Sequence, residues 1–464
     1  MQTKHRIRFI FTLAAASAVF ALTNTSLADE APPKVSAEWT KPVWLSELSL
    51  SAKEIYDDNV LLVSGLGMPE KSSWVNSVSL KLGLNLVPFL ADKEMVQTFS
   101  LVYQPERFSY QDASAENYTA HRIGTTLKGK SGSFSFSFDN AFLYVDGNKV
   151  APFYALNQLA GVDANQNDKF RNNYAHSVAR ERRNQSQDRY TALVQYTVGN
   201  FFVRPVSSLV FFSLNTELHN TSAAPYKGYQ DYADRFDING GVDFGFKVKP
   251  DLAVMFGYRD GYQYHQQFPL AVNADRHFAS NHYQRFLVGL EGKLSKTVTL
   301  KLAAGPDAHD YGPDAPINHP RTTRLYGEGT LSVALPDNQS LAFTYKQWMF
   351  VASTGLVPYV DSTYGIAYHW SANKQWGLDL GLKLQEANYT MGNDVAGSAP
   401  SLRDDLDYGA SAGVSYAFTP HLVLSVAYNY DSGKNGVSNL AANFQPDYRE
   451  FTHQLTTFGV QYKF

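Results

Sequence analysis

The sequence predicts an all-β fold, a single transmembrane antiparallel up-and-down β-barrel of about 18 strands, within a range of roughly 16–18. Apolar and polar residues alternate along most of the chain from residue 45 onward, which is the period of a strand. Short connections alternate with long ones, as in membrane barrels. Charged residues recur in mid-strand, which is expected where the inner face of a barrel meets water.

The amino-terminal segment has the three parts of an export signal. Lys4, Arg6 and Arg8 form a basic region, residues 9–22 are apolar, and Ser26-Leu27-Ala28 fits a cleavage site. The apolar stretch is too short for a spanning helix. The sequence therefore predicts Sec-type export with cleavage near Ala28. The predicted organisation is a signal peptide at 1–28, a short periplasmic leader at 29–44 and the barrel at 45–464.

The strands are predicted from alternation alone. In the segment 375–384, Trp and Leu occupy every second position, and Gln, Gly, Asp and Lys occupy the positions between them. In a membrane barrel the apolar face of such a strand contacts lipid on the outside and the polar face contacts water on the inside. The predicted strands are 45–56, 73–87, 95–109, 118–128, 133–145, 189–199, 206–219, 232–248, 251–263, 282–292, 297–304, 322–335, 339–351, 360–370, 375–389, 403–418, 421–431 and 450–464.

The connections support an even number of strands. Lys249-Pro250 is a short turn, whereas residues 146–188 form the longest connection. Barrels of the outer membrane have short periplasmic turns and longer outer loops. The other predicted long connections are 57–72, 110–117, 220–231, 264–281, 305–321, 390–402 and 432–449.

The carboxy-terminal strand is predicted to end at Phe464. Phe458, Val460, Tyr462 and Phe464 occupy alternate positions and form an apolar stripe. We expect this strand to close the barrel and its stripe to be the signal that the barrel-assembly machinery reads.

Composition excludes several classes of protein. The 464 residues contain no cysteine, which excludes disulfides, a lipoprotein anchor and thiolate metal sites. The formal net charge is −3, and no basic run is longer than Arg182-Arg183. Nucleic-acid binding is therefore not predicted.

The pore lining is predicted from charges on the polar faces and in the longest connection. An arginine ladder in a loop folded into the lumen would narrow the pore and attract anions. The alternative is a solvated outer loop. The mixed charges of the strands predict weak ion selectivity. The predicted ladder is Arg171, Arg180, Arg182, Arg183 and Arg189, and the predicted strand residues are Arg122, Arg235, Asp237, Asp243, Arg259, Arg324, Glu328, Asp379 and Lys383.

No catalytic, metal or cofactor site is predicted. The chain has no local Gly-x-Ser-x-Gly elbow. Asp163-x-Asn165-x-Asn167 starts like a calcium loop, but Asp168 replaces the required glycine. Asp57-Asp58-Asn59 is a weak candidate for calcium and fits a turn. The chain is therefore not predicted to be an enzyme.

Two segments resemble a known family. The segment Ser49-Leu50-Ser51-Ala52-Lys53-Glu54-Ile55-Tyr56-Asp57-Asp58-Asn59-Val60 looks like the first strand of the β-barrel porin-2 family of outer-membrane proteins. The ending Thr457-Phe458-Gly459-Val460-Gln461-Tyr462-Lys463-Phe464 is similar to theirs. The resemblance implies a large outer-membrane barrel of the porin type and supplies no catalytic residues.

The sequence as a whole predicts an outer-membrane channel for passive diffusion of small hydrophilic solutes. Its expected partners are outer-membrane lipids, the assembly machinery and those solutes, and a homo-oligomer is compatible with the sequence. Three alternatives stay open: a component that exports or anchors an exopolysaccharide, an outer-membrane hydrolase, and a secreted soluble β-protein.

Overall fold

The computed structural model describes residues 40–60, 62, 70–147, 183–216, 235–265, 280–312, 321–350, 359–388, 403–437 and 451–464. Residues Val43–Phe464 form one compact unit. The predicted signal peptide and residues 29–39 of the predicted leader lie outside the described residues.

Eighteen strands form one closed antiparallel sheet, which confirms the predicted fold class. Each strand pairs with the next along the chain, and β1 also pairs with β18, so the sheet has no edge. The strands are β1 Leu45–Asp57, β2 Ser73–Asn85, β3 Val96–Tyr110, β4 Tyr118–Ser131, β5 Phe134–Gly147, β6 Arg183–Val198, β7 Phe201–Thr216, β8 Arg235–Lys249, β9 Leu252–His265, β10 Asn281–Lys293, β11 Val298–Asp310, β12 Arg321–Leu335, β13 Gln339–Phe350, β14 Tyr359–Ser371, β15 Trp376–Asn388, β16 Arg403–Ala417, β17 Leu422–Val437 and β18 Phe451–Lys463.

Helical structure is sparse in the described residues. Two three-residue 3-10 turns, Val87–Phe89 and Ser114–Glu116, lie in connections. In the part of the chain that the structure describes, no helix has the length and apolar character needed to cross a membrane.

The two ends of the barrel differ in their connections. At one end, here called the turn end, two residues suffice between β4 and β5 and between β6 and β7. Gly132 and Gly199 begin these turns with φ of 57° and 58°, a left-handed conformation that glycine adopts without steric cost. At the other end, the loop end, β5 and β6 are separated by residues 148–182. The predicted alternation of short and long connections is thus confirmed.

Alternation along the strands gives the barrel an apolar outer face. On β15 the side chains of Leu380, Leu382 and Leu384 are 43 %, 58 % and 39 % exposed, although they are fully apolar. Between them lie Gly381 and Lys383, which face inward. Because exposed leucines stabilise nothing in water, this outer face fits a surrounding of lipid.

Three strands extend six residues further towards the loop end than the sequence predicts. β6 begins at Arg183 instead of 189, β11 ends at Asp310 instead of 304, and β17 ends at Val437 instead of 431. The extensions of β6 and β17 have polar residues on both faces, and the outer face of the β11 extension is formed by Pro306, Ala308 and Asp310. The alternation that marks a half-apolar strand therefore disappears. Strands that continue beyond an apolar belt need no apolar face.

β7 begins at Phe201, five residues before the predicted 206, so Pro205 lies within the strand. A proline has no N–H to donate and usually marks a strand end. Here the ladder between β6 and β7 is interrupted between Leu193↔Val206 and Tyr196↔Val203, so Pro205 lies where the pairing is already broken.

Candidate functional site

The inward-facing side chains of the strands form the candidate site, because they line the interior that the closed sheet surrounds. Alternation places them on every second residue, with polar and charged types predominating. Among the described residues, this lining includes three buried networks around Glu106, Arg204 and Asp237, a stacked arginine, a buried apolar cluster and an open stretch of wall.

The first network joins four neighbouring strands. The Glu106 carboxylate on β3 accepts hydrogen bonds from Arg122 Nη1 on β4 at 2.7 Å, from Lys53 Nζ on β1 at 2.9 Å and from Ser77 Oγ on β2 at 2.6 Å. Glu106 and Arg122 are each 1 % exposed. One carboxylate therefore accepts charge-assisted hydrogen bonds from two cations, the buried Arg122 and the partly exposed Lys53, and these bonds hold the side chains in place.

The second network lies nearer the turn end. Arg204 on β7 donates through Nε to Asp243 on β8 at 3.1 Å and through Nη1 to Glu291 on β10 at 2.7 Å. Arg259 on β9 contacts the other oxygen of Asp243 at 2.7 Å. Two arginines and two carboxylates thus bind four adjacent strands together without net charge.

The third network lies nearer the loop end. The Asp237 carboxylate accepts hydrogen bonds from Tyr283 Oη and from Gln263 Nε2, each at 2.8 Å. Asn281 Nδ2 donates to Gln263 Oε1 at 3.0 Å, and Asn281 Oδ1 lies 2.7 Å from His309 Nδ1. A chain of polar side chains therefore crosses β8 to β11.

A stacked arginine lies beside this network. The Arg285 guanidinium lies 3.6 Å from the ring centre of Tyr326 and 4.8 Å from that of Tyr283, and it donates to Asp307 at 2.8 Å. Cation–π contact and charge pairing both hold it in place.

Near the loop end, one hydrogen bond links two strands that are not neighbours in the sheet. Gln263 Nε2 on β9 donates to the carbonyl of Met349 on β13 at 2.8 Å, although these strands are four apart in the sheet. A buried apolar cluster is formed by residues of β18, of β1 to β5 and of two connections, to which Val60 and Ala113 belong. Its members are Ile55, Val60, Val75, Phe108, Tyr110, Ala113, Tyr118, Ala120, Ala141, Leu143, Val145 and Leu455.

The open stretch of wall lies on the turn-end halves of β14 to β18. Its inward positions are rich in glycine and serine, and the side chains of Asp379 and His369 are 67 % and 49 % exposed. A Cβ added to Gly413 would meet nothing closer than 3.8 Å. Small residues thus leave space on this side, whereas large paired side chains fill the opposite side.

The structure places most predicted lining residues on the inner wall but separates them into different networks. Asp243 contacts Arg259, whereas Arg122, Asp237 and Asp379 each belong to a different contact group. Arg324, Glu328 and Lys383 also occupy inward positions, and Arg235 is the first residue of β8.

The predicted arginine ladder is corrected in part. Arg183 and Arg189 belong to β6 and not to the long connection, because the strand begins six residues earlier than predicted. Arg171, Arg180 and Arg182 lie outside the described residues.

Sequence reasoning missed Glu106 and Arg204, which are central to two networks. Glu106 follows Pro105, which obscures the alternation of β3, although Glu106 and Phe108 share a face. Arg204 precedes Pro205 in the segment that was predicted to lie outside β7. If the alternation of inward and outward positions is followed past Pro105 and Pro205, Glu106 and Arg204 both fall on inward positions.

No family model and no curated protein matches the chain. Solved structures with similar folds include the siderophore receptor PirA from Acinetobacter baumannii, at 8 % identity and a TM-score of 0.41, covering 92 % of this chain and 81 % of that one. OccAB3 from Acinetobacter baumannii has 11 % identity and a TM-score of 0.39, covering 90 % and 98 %. The outer membrane protein opdK from Pseudomonas aeruginosa has 10 % identity and a TM-score of 0.40, also covering 90 % and 98 %.

Proposed function

We propose that this chain is an outer-membrane channel through which small hydrophilic solutes diffuse. The observation that carries the proposal is the division of one closed sheet into an apolar outer face and a polar inner face. The outward leucines of this barrel are suited to contact with lipid, and its inward charged side chains are suited to contact with water. Barrels of about 16–18 strands leave an aqueous channel when loops do not fill them.

The route of solutes follows from the distribution of small residues. The networks around Glu106, Arg204 and Asp237 hold one side of the wall in fixed positions, and the glycine- and serine-rich stretch along β14 to β18 leaves space. Solutes would therefore pass along β14 to β18. The mixed sign of the inner charges supports weak ion selectivity.

Single-channel recording of the refolded protein in a planar bilayer tests the proposal. We expect discrete conductance steps, and a salt gradient then gives the ion preference from the reversal potential. A folded barrel that never conducts would contradict passive diffusion.

A pair of variants one residue apart tests the route. Gly413→Trp puts a large ring on the open inner wall and should lower the single-channel conductance. Ala412→Trp puts the same ring on the outer face, because successive residues of a strand point to opposite sides, and should leave the conductance unchanged. Equal conductance in the two variants would contradict a route along β14 to β18.

Assembly in the outer membrane is part of the same proposal. Phe458, Val460 and Tyr462 lie on the outward face of β18, Phe464 directly follows the strand, and the Tyr462 and Phe464 rings are 4.9 Å apart. We propose that the barrel-assembly machinery reads this stripe after Sec-type export. Replacing Phe464 by Ser should reduce the amount of heat-modifiable barrel, whereas replacing the inward Lys463 by Ser should not.

A further inference from the structure

The first and last strands of the barrel meet at the loop end in a cluster of metal-ligating side chains. Asp57 ends β1, Asp58 follows it, and His453 is the third residue of β18. One ligand atom from each lies within 4.8 Å of the other two, and His453 Nε2 is 3.0 Å from Asp57 Oδ1. Ligands about 2.0–2.2 Å from a zinc ion lie roughly 3.5 Å from one another, so small side-chain movements would complete the site.

Main-chain hydrogen bonds hold the two aspartates against β18. Asp58 donates its N–H to the Gln454 carbonyl at 3.2 Å, and Gln454 returns its N–H to Asp58 Oδ1 at 2.7 Å. Asn59 donates its N–H to Asp57 Oδ1 at 3.1 Å and its side-chain amide to the Thr452 carbonyl at 2.9 Å. The ligands are thus held by two segments that are almost 400 residues apart and need little reordering to bind an ion.

The surroundings of the cluster strengthen its electrostatic interactions. Asp57 is 2 % exposed and His453 is 7 % exposed. Ile55, Val60 and Leu455, which belong to the buried apolar cluster, lie close to them in sequence. Charges interact more strongly where water is excluded, and two adjacent carboxylates there favour a positively charged partner.

We propose that Asp57, Asp58 and His453 bind a divalent ion of the zinc class and that the ion fastens β1 to β18 at the loop end. One imidazole nitrogen and two carboxylate oxygens suit zinc, with water as a fourth ligand. Calcium takes six to eight oxygen ligands, and a ring nitrogen suits it poorly. This site is independent of conduction, so failure of either proposal leaves the other testable.

Calorimetric titration of the refolded protein with ZnCl₂ tests the site. We expect the wild-type protein to bind one molar equivalent of zinc. Asp58→Asn should lose this binding or weaken it at least about tenfold, because replacing a ligand lowers metal affinity at least as much as replacing a residue that only orients a ligand. Asp58 is half-buried and lies outside the strand, so this variant should keep its fold. The control is Asp379→Asn, since His369 and Asp379 are 2.7 Å apart, but the described residues add no third metal-ligating side chain to this pair.

A stability measurement checks the role of the ion. Zinc should raise the temperature at which the barrel loses its compact migration in gels, for wild type and for Asp379→Asn but not for Asp58→Asn. Equal zinc binding by wild type and Asp58→Asn, or no binding by wild type, would overturn the proposal. Tighter binding of calcium than of zinc would overturn the assignment of the ion class.

Discussion

At the residue scale, the inner wall depends on buried charges that neutralise one another. Arg122 and Glu106 are almost completely buried, and Lys53 and Ser77 supply the remaining hydrogen bonds to the carboxylate. A buried charge that loses its partner keeps its desolvation cost and loses the attraction that offset it. Such a pair is therefore more sensitive to substitution than any exposed pair of the same wall.

Replacing Arg122 by Met should lower the free energy of unfolding by about 3 kcal/mol, because the buried Glu106 carboxylate would lose its fully buried partner at 2.7 Å and keep only the partly exposed Lys53 as a cation. Asp139→Asn is the matched control. Asp139 lies 3.8 Å from Lys128, and the two side chains are 48 % and 51 % exposed. Its effect should stay below about 1 kcal/mol, as for other exposed pairs. Urea titration of the protein folded in lipid vesicles measures both, and equal losses would contradict the argument.

The sequence could predict that these residues are polar and inward, but not which of them meet. Arg122 was predicted to line the lumen, yet its contact with Glu106 depends on the register of β3 with β4, which pairs Glu106 with Ala120. A shift of one residue would turn either side chain outward. Register arises from all strands of the closed sheet together, and no local pattern encodes it.

At the scale of the strand, a carboxylate on the outer face should destabilise the barrel more than a carboxylate on the inner face. Leu382→Asp places a carboxylate in the apolar belt and should cost about 2 kcal/mol. Gly381→Asp places it inside, where it would meet the Ser411 hydroxyl, which can rotate and donate a hydrogen bond. Folding yields into lipid vesicles measure the difference. A larger loss for the inner variant would contradict the assignment of the faces.

Strand positions were predictable wherever one face is apolar. β13 and β16 begin at the predicted residues, whereas β6, β11 and β17 extend further than predicted. The difference arises because the belt of lipid-facing residues covers only part of each strand. Beyond that belt the backbone pairing continues, but the sequence no longer shows an apolar face. The sequence therefore locates the membrane-facing part of a strand better than its outer end.

At the scale of the whole molecule, charge is distributed unevenly along the barrel axis. Lys81 and Lys301 lie on the inner wall three or four residues from the turn ends of β2 and β11. Asp237 and Asp361 are buried two residues from the loop ends of β8 and β14. The inner wall thus has a more basic turn end and a more acidic loop end, which gives ions different barriers in the two directions.

The current through channels inserted in one orientation should therefore depend on the sign of the voltage. The asymmetry should be clear at 0.1 M salt and weak at 1 M, because the screening length falls from about 10 Å to about 3 Å. Exchanging Lys81 and Lys301 for Gln should reduce it, whereas the outward Arg107→Gln should not. A linear current–voltage curve at low salt would contradict this prediction.

The pairing of β1 with β18 has a consequence for how the barrel forms. Ser49 pairs with Lys463 and Leu48 accepts a hydrogen bond from Phe464, so the closing contacts join segments separated by more than 400 residues. Every other strand pair can form between neighbours in the chain, but this pair must wait for all of them. Until then the growing sheet has two open edges, each a template for pairing with another chain. Closure of the barrel is therefore the slowest step of folding. It is also the step during which the chain most needs protection from aggregation.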